Sequence, residues 1–233
     1  MAAEGESMRH AVSLLAMGIV LLGLSPATFA AEEGAVPAKA KPAAAKKKRQ
    51  LTPEEKAEKE ARKACKIKIC DILATKEPQG ADVSCDIVKT WREKDIVKML
   101  GGRINWPWGK AVCQSKLRLK RAPLAKAMSE ASYEVVMKSQ TVRCSLAQKQ
   151  GKPYVIEVAM APKVKFKNGK ASAAAINWGQ TSAPLLIYPL IYAATALDNS
   201  ANVLGPEVVR MVNEFAAKSC AEVKDELPSN TPN

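Results

Sequence analysis

Two short runs in this chain place a cation at every second position. They are Lys116-Leu117-Arg118-Leu119-Lys120 and Lys163-Val164-Lys165-Phe166-Lys167. In an extended strand successive side chains point to opposite faces, so each run turns three cations outward and its apolar residues inward. If the two strands are neighbours, six like charges crowd one sheet face and repel, and a bound counter-anion relieves that repulsion. Lys116, Arg118, Lys120, Lys163, Lys165 and Lys167 are therefore the candidate binding residues, for an anionic ligand. If the strands are apart, each run is an ordinary solvated lysine face.

The usual catalytic inventory is thin. The one histidine of the chain is His10, within a segment that reads as a removable leader. Without it, Ser-His and Cys-His nucleophile pairs, HExxH zinc sites and imidazole bases cannot be built. No CxxC occurs, which argues against thioredoxin-like chemistry and ribbon-type zinc sites. Gly102–Ala111 (GRINWPWGKA) has the outline of a phosphate-binding loop, but six residues separate its glycines and Ala111 stands where Ser or Thr is required. Serine acylation motifs are absent. Carboxylate-pair hydrolysis stays open, with Glu130 and Glu134 four apart and Asp71 and Asp86 each following a cysteine. No catalytic residue, metal or cofactor is expected. Trp91, Trp106, Trp108 and Trp178 suit either stacking on a ligand or closing one end of a sheet.

Residues 11–24 (AVSLLAMGIVLLGL) follow Arg9-His10 and precede Ser25-Pro26 and Ala27-Thr28-Phe29-Ala30-Ala31. Basic flank, apolar stretch and small-residue site stand in the order of a signal peptide, with cleavage after Ala30. The stretch is shorter than the ~20 residues that span a bilayer. Glu4 and Glu6 oppose a basic leader, so Met8 is a candidate start. Loss of 1–30 would move the net charge from +13 to +14, since Glu4, Glu6 and Arg9 leave with it. Residues 31–51 are Ala, Lys and Pro with the run Lys46-Lys47-Lys48-Arg49, which reads as a disordered basic linker. Export places the six cysteines where disulfides persist.

The elements that must position these groups then follow. Thr52-Pro53-Glu54-Glu55 is a helix start, with Ala61, Cys65, Ile69 and Leu73 facing inward before a stop at Pro78-Gln79-Gly80. Asp82–Arg92 reads as a strand and Glu93–Leu100 as a short helix closed by Gly101-Gly102. Strands are expected at Val112–Arg121, Tyr133–Ser145, Pro153–Met160 and Lys163–Gly169, with Asn168-Gly169 turning into a return strand, Lys170–Trp178. Ser182–Leu197 is apolar nearly all round and reads as a buried core helix, its other reading being an interface. A last helix opens at Gly205-Pro206-Glu207.

The fold class expected is α+β: an antiparallel sheet of about four to five strands against N- and C-terminal helices, disulfide-stabilised. It occupies 52–227 as a single domain, with a loose tail at 228–233. Parity favours a cross-strand Cys113–Cys144 bridge, and the helix stripes favour Cys65–Cys220. Cys70–Cys85 then follows by elimination. The functional expectation is an exported, periplasmic, non-enzymatic protein whose basic sheet face binds an anionic envelope polymer, a lipid surface or an acidic protein. Nucleic acid is not an expected partner of an exported chain, and no transmembrane helix is expected once the signal is gone. The alternatives are an assembly protein using the apolar 185–197 helix as its interface, and a carboxylate-dependent wall-polymer hydrolase.

Overall fold

The first helix starts where its local chemistry dictates. Thr52 Oγ1 accepts from the Glu55 N–H at 3.2 Å while the Glu55 carboxylate accepts from the Thr52 N–H at 2.9 Å. That capping box, with Pro53 at the first helical position, fixes α1 at Pro53–Thr75. Its end is Lys76 at φ 57°, a left-handed cap. The computed structural model describes residues 50–99 and 106–228. The expected signal segment, the linker through Arg49, the Gly101-Gly102 stop and the last tail residues 229–233 lie outside the described residues.

After α1 the chain runs β1 (Val83–Trp91), α2 (Glu93–Met99), β2 (Ala111–Leu119), α3 (Arg121–Ser129), β3 (Ser132–Val136), β4 (Gln140–Leu146) and β5 (Tyr154–Met160). It continues through β6 (Lys163–Lys167), β7 (Lys170–Ala175), β8 (Trp178–Ser182), α4 (Tyr188–Ala201) and α5 (Gly205–Glu214). A π-helical turn at Phe215–Ser219 and a 3-10 turn at Ala221–Glu226 follow. The strands form two antiparallel sheets, β1-β2-β4-β5-β8 and β3-β6-β7. The architecture is α+β with a principal sheet of five strands, as expected. The second sheet is new, because the expected strand Tyr133–Ser145 is broken at residues 137–139 and its halves enter different sheets.

One face of the five-stranded sheet is packed. Toward β1 and β2 it carries Cys85, Ile87, Leu117 and Leu119 against Cys65, Ile69 and Ile72 of α1 and Leu124 and Ala125 of α3. Toward β4 and β5 it carries Leu146, Ile156 and Val158 against Ile187 and Ile191, with Trp91, Trp106, Trp108 and Trp178 around them. Burial of these apolar side chains supplies the main driving force for the layer. The four tryptophans are partly buried against this cluster, Trp106 and Trp108 meeting edge to face with centroids 4.8 Å apart. In the small sheet Val164, Phe166, Ala171 and Ala174 pack against Val208, Val209 and Val212 of α5. Asn168 and Gly169 both take positive φ, 49° and 75°, the conformation of a two-residue hairpin turn.

Three disulfides tie these layers: Cys65–Cys85, Cys70–Cys220 and Cys113–Cys144. Cys113 and Cys144 stand opposite each other in the β2–β4 ladder. The expected Cys65–Cys220 and Cys70–Cys85 are exchanged. Five helical residues rotate a side chain by about 140°, so Cys65 and Cys70 of α1 face different neighbours. Cys65 lies among Val83 and Leu124, on the β1 side. Cys70 lies among Val223, Leu227 and Phe215, on the C-terminal side. Within the expected inward stripe Ala61 is exposed, and Ile72 is buried in its place.

The expected helix over Ser182–Leu197 starts later, at Tyr188, since Ser182 ends β8. It is not a core helix on all sides: only Ile191, Thr195 and Asp198 are buried in it, and Leu185, Leu186, Tyr188, Leu190 and Tyr192 are exposed. Among the described residues no helix is long and apolar enough to cross a membrane.

Candidate functional site: a cationic trough

The unpacked face of the five-stranded sheet follows from strand parity. Ser84 and Asp86 of β1 stand opposite Arg118 and Lys116 of β2, Gln114 stands opposite Arg143 of β4, and Arg143 opposite Glu157 of β5. These polar residues line an open trough of about 1020 Å³. Its remaining wall comprises Pro123 and Leu124 of α3 with Val135, Val136 and the connection from β3 to β4. Five cations line it, Lys116, Arg118, Lys120, Lys138 and Arg143, against three carboxylates, Asp82, Asp86 and Glu157.

The charges are not equally engaged. Lys120 Nζ lies 2.7 Å from Asp82 Oδ2, and the Arg121 N–H donates to Asp82 Oδ1 at 3.0 Å. The Lys120 ammonium first, and that backbone N–H second, hold the Asp82 carboxyl below its ordinary range. Arg143 Nη1 lies 3.0 Å from Glu157 Oε1. Among the described residues, Lys116, Arg118 and Lys138 have no carboxylate oxygen within 4.0 Å of their charged nitrogens. All three side chains are on exposed residues. With Asp86 opposite Lys116 in the ladder, five cations against three carboxylates leave a net excess of two positive charges, spread over Lys116, Arg118 and Lys138.

A break in the ladder shapes the trough. The β2–β4 register runs from Ala111↔Leu146 to Ser115↔Val142 and stops there. Beyond it the Arg118 N–H donates to Gln140 Oε1 at 3.2 Å, a side chain in place of a strand. The C-terminal half of β2 keeps β1 on one side and has the trough on the other.

The six expected binding residues do not come together. Lys116, Arg118 and Lys120 share the trough, whereas Lys163, Lys165 and Lys167 lie on β6 in the other sheet. The parity was right for both strands, but the register of β6 is with β3 and β7, so the single six-cation patch does not exist. Lys165 Nζ instead lies 3.8 Å from Glu134 of the neighbouring β3. Lys138 and Arg143 were missed. Arg143 has the same outward parity as the polar Thr141 of its strand, which alternation alone could have shown. Lys138 lies on the connection, where periodicity carries no signal.

The other carboxylates of interest stand beside cations. Glu130 Oε1 is 3.9 Å from Lys126 Nζ, and Asp71 Oδ2 is 3.8 Å from Arg121 Nη2. Asp86 stands opposite Lys116 in the ladder. Among the described residues no group of three His, Cys, Asp or Glu has the proximity of a metal site. Comparison with protein families, with curated proteins and with solved structures returns no match to this chain.

Proposed function

We propose that this protein is an exported, periplasmic, non-enzymatic binding protein whose trough holds an anionic component of the envelope or an acidic partner. The observation that carries this reading is that Lys116, Arg118 and Lys138, which have no ion-pair partner among the described residues, line one concave surface. Like charges held together without counter-ions raise the local potential and attract an anion. Support for export comes from the leader-like residues 11–30 and from three disulfides, a pattern of oxidising compartments.

Binding of a non-peptide polyanion such as dextran sulfate tests the reading. Affinity should fall steeply as salt rises, since exposed charges are screened within about 10 Å at 0.1 M. Lys116→Glu with Arg118→Glu should remove binding, while Lys163→Glu with Lys167→Glu, an equal change in net charge on the other sheet, should retain it. Equal binding by all three proteins would defeat the reading.

A second reading, assembly through the α4 surface, is favoured by a separate observation. Leu185 and Leu186 are 92% and 78% exposed, and Tyr188 and Tyr192 stack beside them at 5.9 Å. Exposed apolar clusters of this kind mark contact surfaces. Salt-insensitive oligomers that Leu185→Ser with Leu186→Ser dissolves would support it, and a monomer at all concentrations would exclude it.

A further inference from the structure

Every strand at the edge of a sheet presents backbone N–H and C=O groups that need partners. Among the described residues the terminal strands of the two sheets are β1 and β8 in the large one and β3 and β7 in the small one. On β7, Asn213 imitates a neighbouring strand: its Oδ1 accepts from the Ala171 N–H at 2.8 Å and its Nδ2 donates to the Ala171 carbonyl at 3.0 Å. Asn202 Nδ2 donates to the Ala174 carbonyl of the same edge. On β8, Asn199 does to Trp178 what Asn213 does to Ala171, with both distances 2.8 Å. On β1, Glu58 accepts from the Thr90 N–H and Arg62 donates to the Val88 carbonyl.

β3 has no such cover. Its inner hydrogen bonds continue through Asn168 N–H to the Ala131 carbonyl and Met137 N–H to the Pro162 carbonyl. In an antiparallel ladder the bonded residues alternate. The odd-numbered residues of β3 therefore face β6, and Ser132, Glu134 and Val136 direct their N–H and C=O groups outward. All three residues are exposed, and among the described residues none of these backbone groups has a partner. This open edge reaches the trough at Val136, across from the half of β2 that has lost its β4 neighbour.

We propose that the trough accepts an extended acidic peptide segment of a partner protein, which adds as a strand to the β3 edge. This rests on the anion-binding reading above and names its ligand class. An added strand would satisfy the backbone groups of Ser132, Glu134 and Val136 and present alternate side chains to the two walls. Acidic residues at every second position meet Lys116, Arg118 and Lys138, while small apolar residues between them meet Pro123, Leu124 and Val135. Residues 31–49 hold six cations against the adjacent Glu32 and Glu33, and 229–233 (SNTPN) hold no charged side chain, so neither flank offers acids at every second position.

The test uses the whole oxidised protein with a short alternating Glu/Val peptide, the same peptide N-methylated on one backbone edge, and dextran sulfate. Expected is binding of the first peptide, at least tenfold weaker binding of the methylated one, and slowing of amide exchange by at least tenfold at Ser132, Glu134 and Val136 by NMR. Ser132→Pro removes one edge donor outside the trough lining without changing charge, so it should weaken the peptide at least tenfold and leave dextran sulfate unchanged. Equal binding of both peptides with no added protection at these amides overturns strand addition, even where Lys116→Glu with Arg118→Glu still abolishes polyanion binding. Failure of that double variant to affect any of the probes overturns the anion-binding reading itself.

Discussion

The Cys70–Cys220 bridge spans 150 residues and Cys65–Cys85 spans 20, and the two cross in sequence. A cross-link stabilises largely by removing loop-closure entropy from the unfolded chain, giving about 5 kcal/mol for the long loop and about 3 kcal/mol for the short one. The comparison is well matched, because each pair joins one buried α1 cysteine to one half-buried partner. Packing losses on removal of the sulfurs then largely cancel in the difference, leaving about 1.8 kcal/mol from the ratio of loop lengths. Cys70→Ala with Cys220→Ala should therefore be the more destabilising double substitution in urea unfolding. At a slope of about 2 kcal/mol/M its midpoint should lie about 0.9 M lower than that of Cys65→Ala with Cys85→Ala. Tryptic mapping without reduction checks the premise, since Lys66 and Lys68 separate the two α1 cysteines. Fragment 64–66 should travel with 77–89, and fragment 69–76 with 219–224. Equal midpoints, or a larger loss from the short loop, would refute the loop-entropy reasoning.

Trp178 Nε1 donates to the buried Asp198 carboxylate at 2.8 Å, and the Leu204 N–H donates to its other oxygen at 2.7 Å. Trp178→Phe should cost about 1–3 kcal/mol by leaving one oxygen short of a donor, and a change in urea midpoint too small to measure would count against the link. Acid should destabilise the fold through Asp82 and Glu222, whose carboxyls Lys120 and Lys66 respectively hold below their ordinary values. A depressed folded value means that the contribution is complete above the ordinary carboxylate value of about 4 and is lost as pH falls through the folded one. Lys120→Met should flatten that acid limb in urea melts taken from pH 7 downward, and an unchanged limb would contradict the assignment to Asp82.

What could be read in the sequence was local. The Thr52–Glu55 capping box, the Asn168-Gly169 turn and the alternation of β1, β2 and β6 depend on neighbours within a few residues. The pairing Cys113–Cys144 was legible because inward parity places both sulfurs on one face. Period two, however, states which side chains share a face and says nothing of which strands share a sheet. So the Lys163–Lys167 run reads as a cationic strand from its alternation alone, while whether it neighbours Lys116–Lys120 is decided by the sheet order, which separates them. The division of 133–145 was illegible because Met137-Lys138-Ser139 holds no Gly or Pro, the strongest punctuation of a strand. Strand β8 escaped for the opposite reason, since the apolar run behind it drew Ser182 into a helix start. The Cys65 and Cys70 partners depend on which neighbour each side of α1 meets, and the inward stripe through Cys65 does not say whether it meets β1 or the C-terminal turns.

The asparagines that occupy the edges of β7 and β8 also bear on how this protein behaves when crowded with copies of itself. Growth of a strand-to-strand fibre requires every subunit to offer two free edges, one to receive and one to donate. Asn213 and Asn202 occupy backbone groups of Ala171 and Ala174 on β7 and Asn199 those of Trp178 on β8, whereas β3 is uncovered among the described residues. Two copies meeting through β3 would consume the open edge of each, and the contact would end as a closed pair. Three amide side chains thereby take the backbone groups of Ala171, Ala174 and Trp178 out of reach of a neighbouring copy.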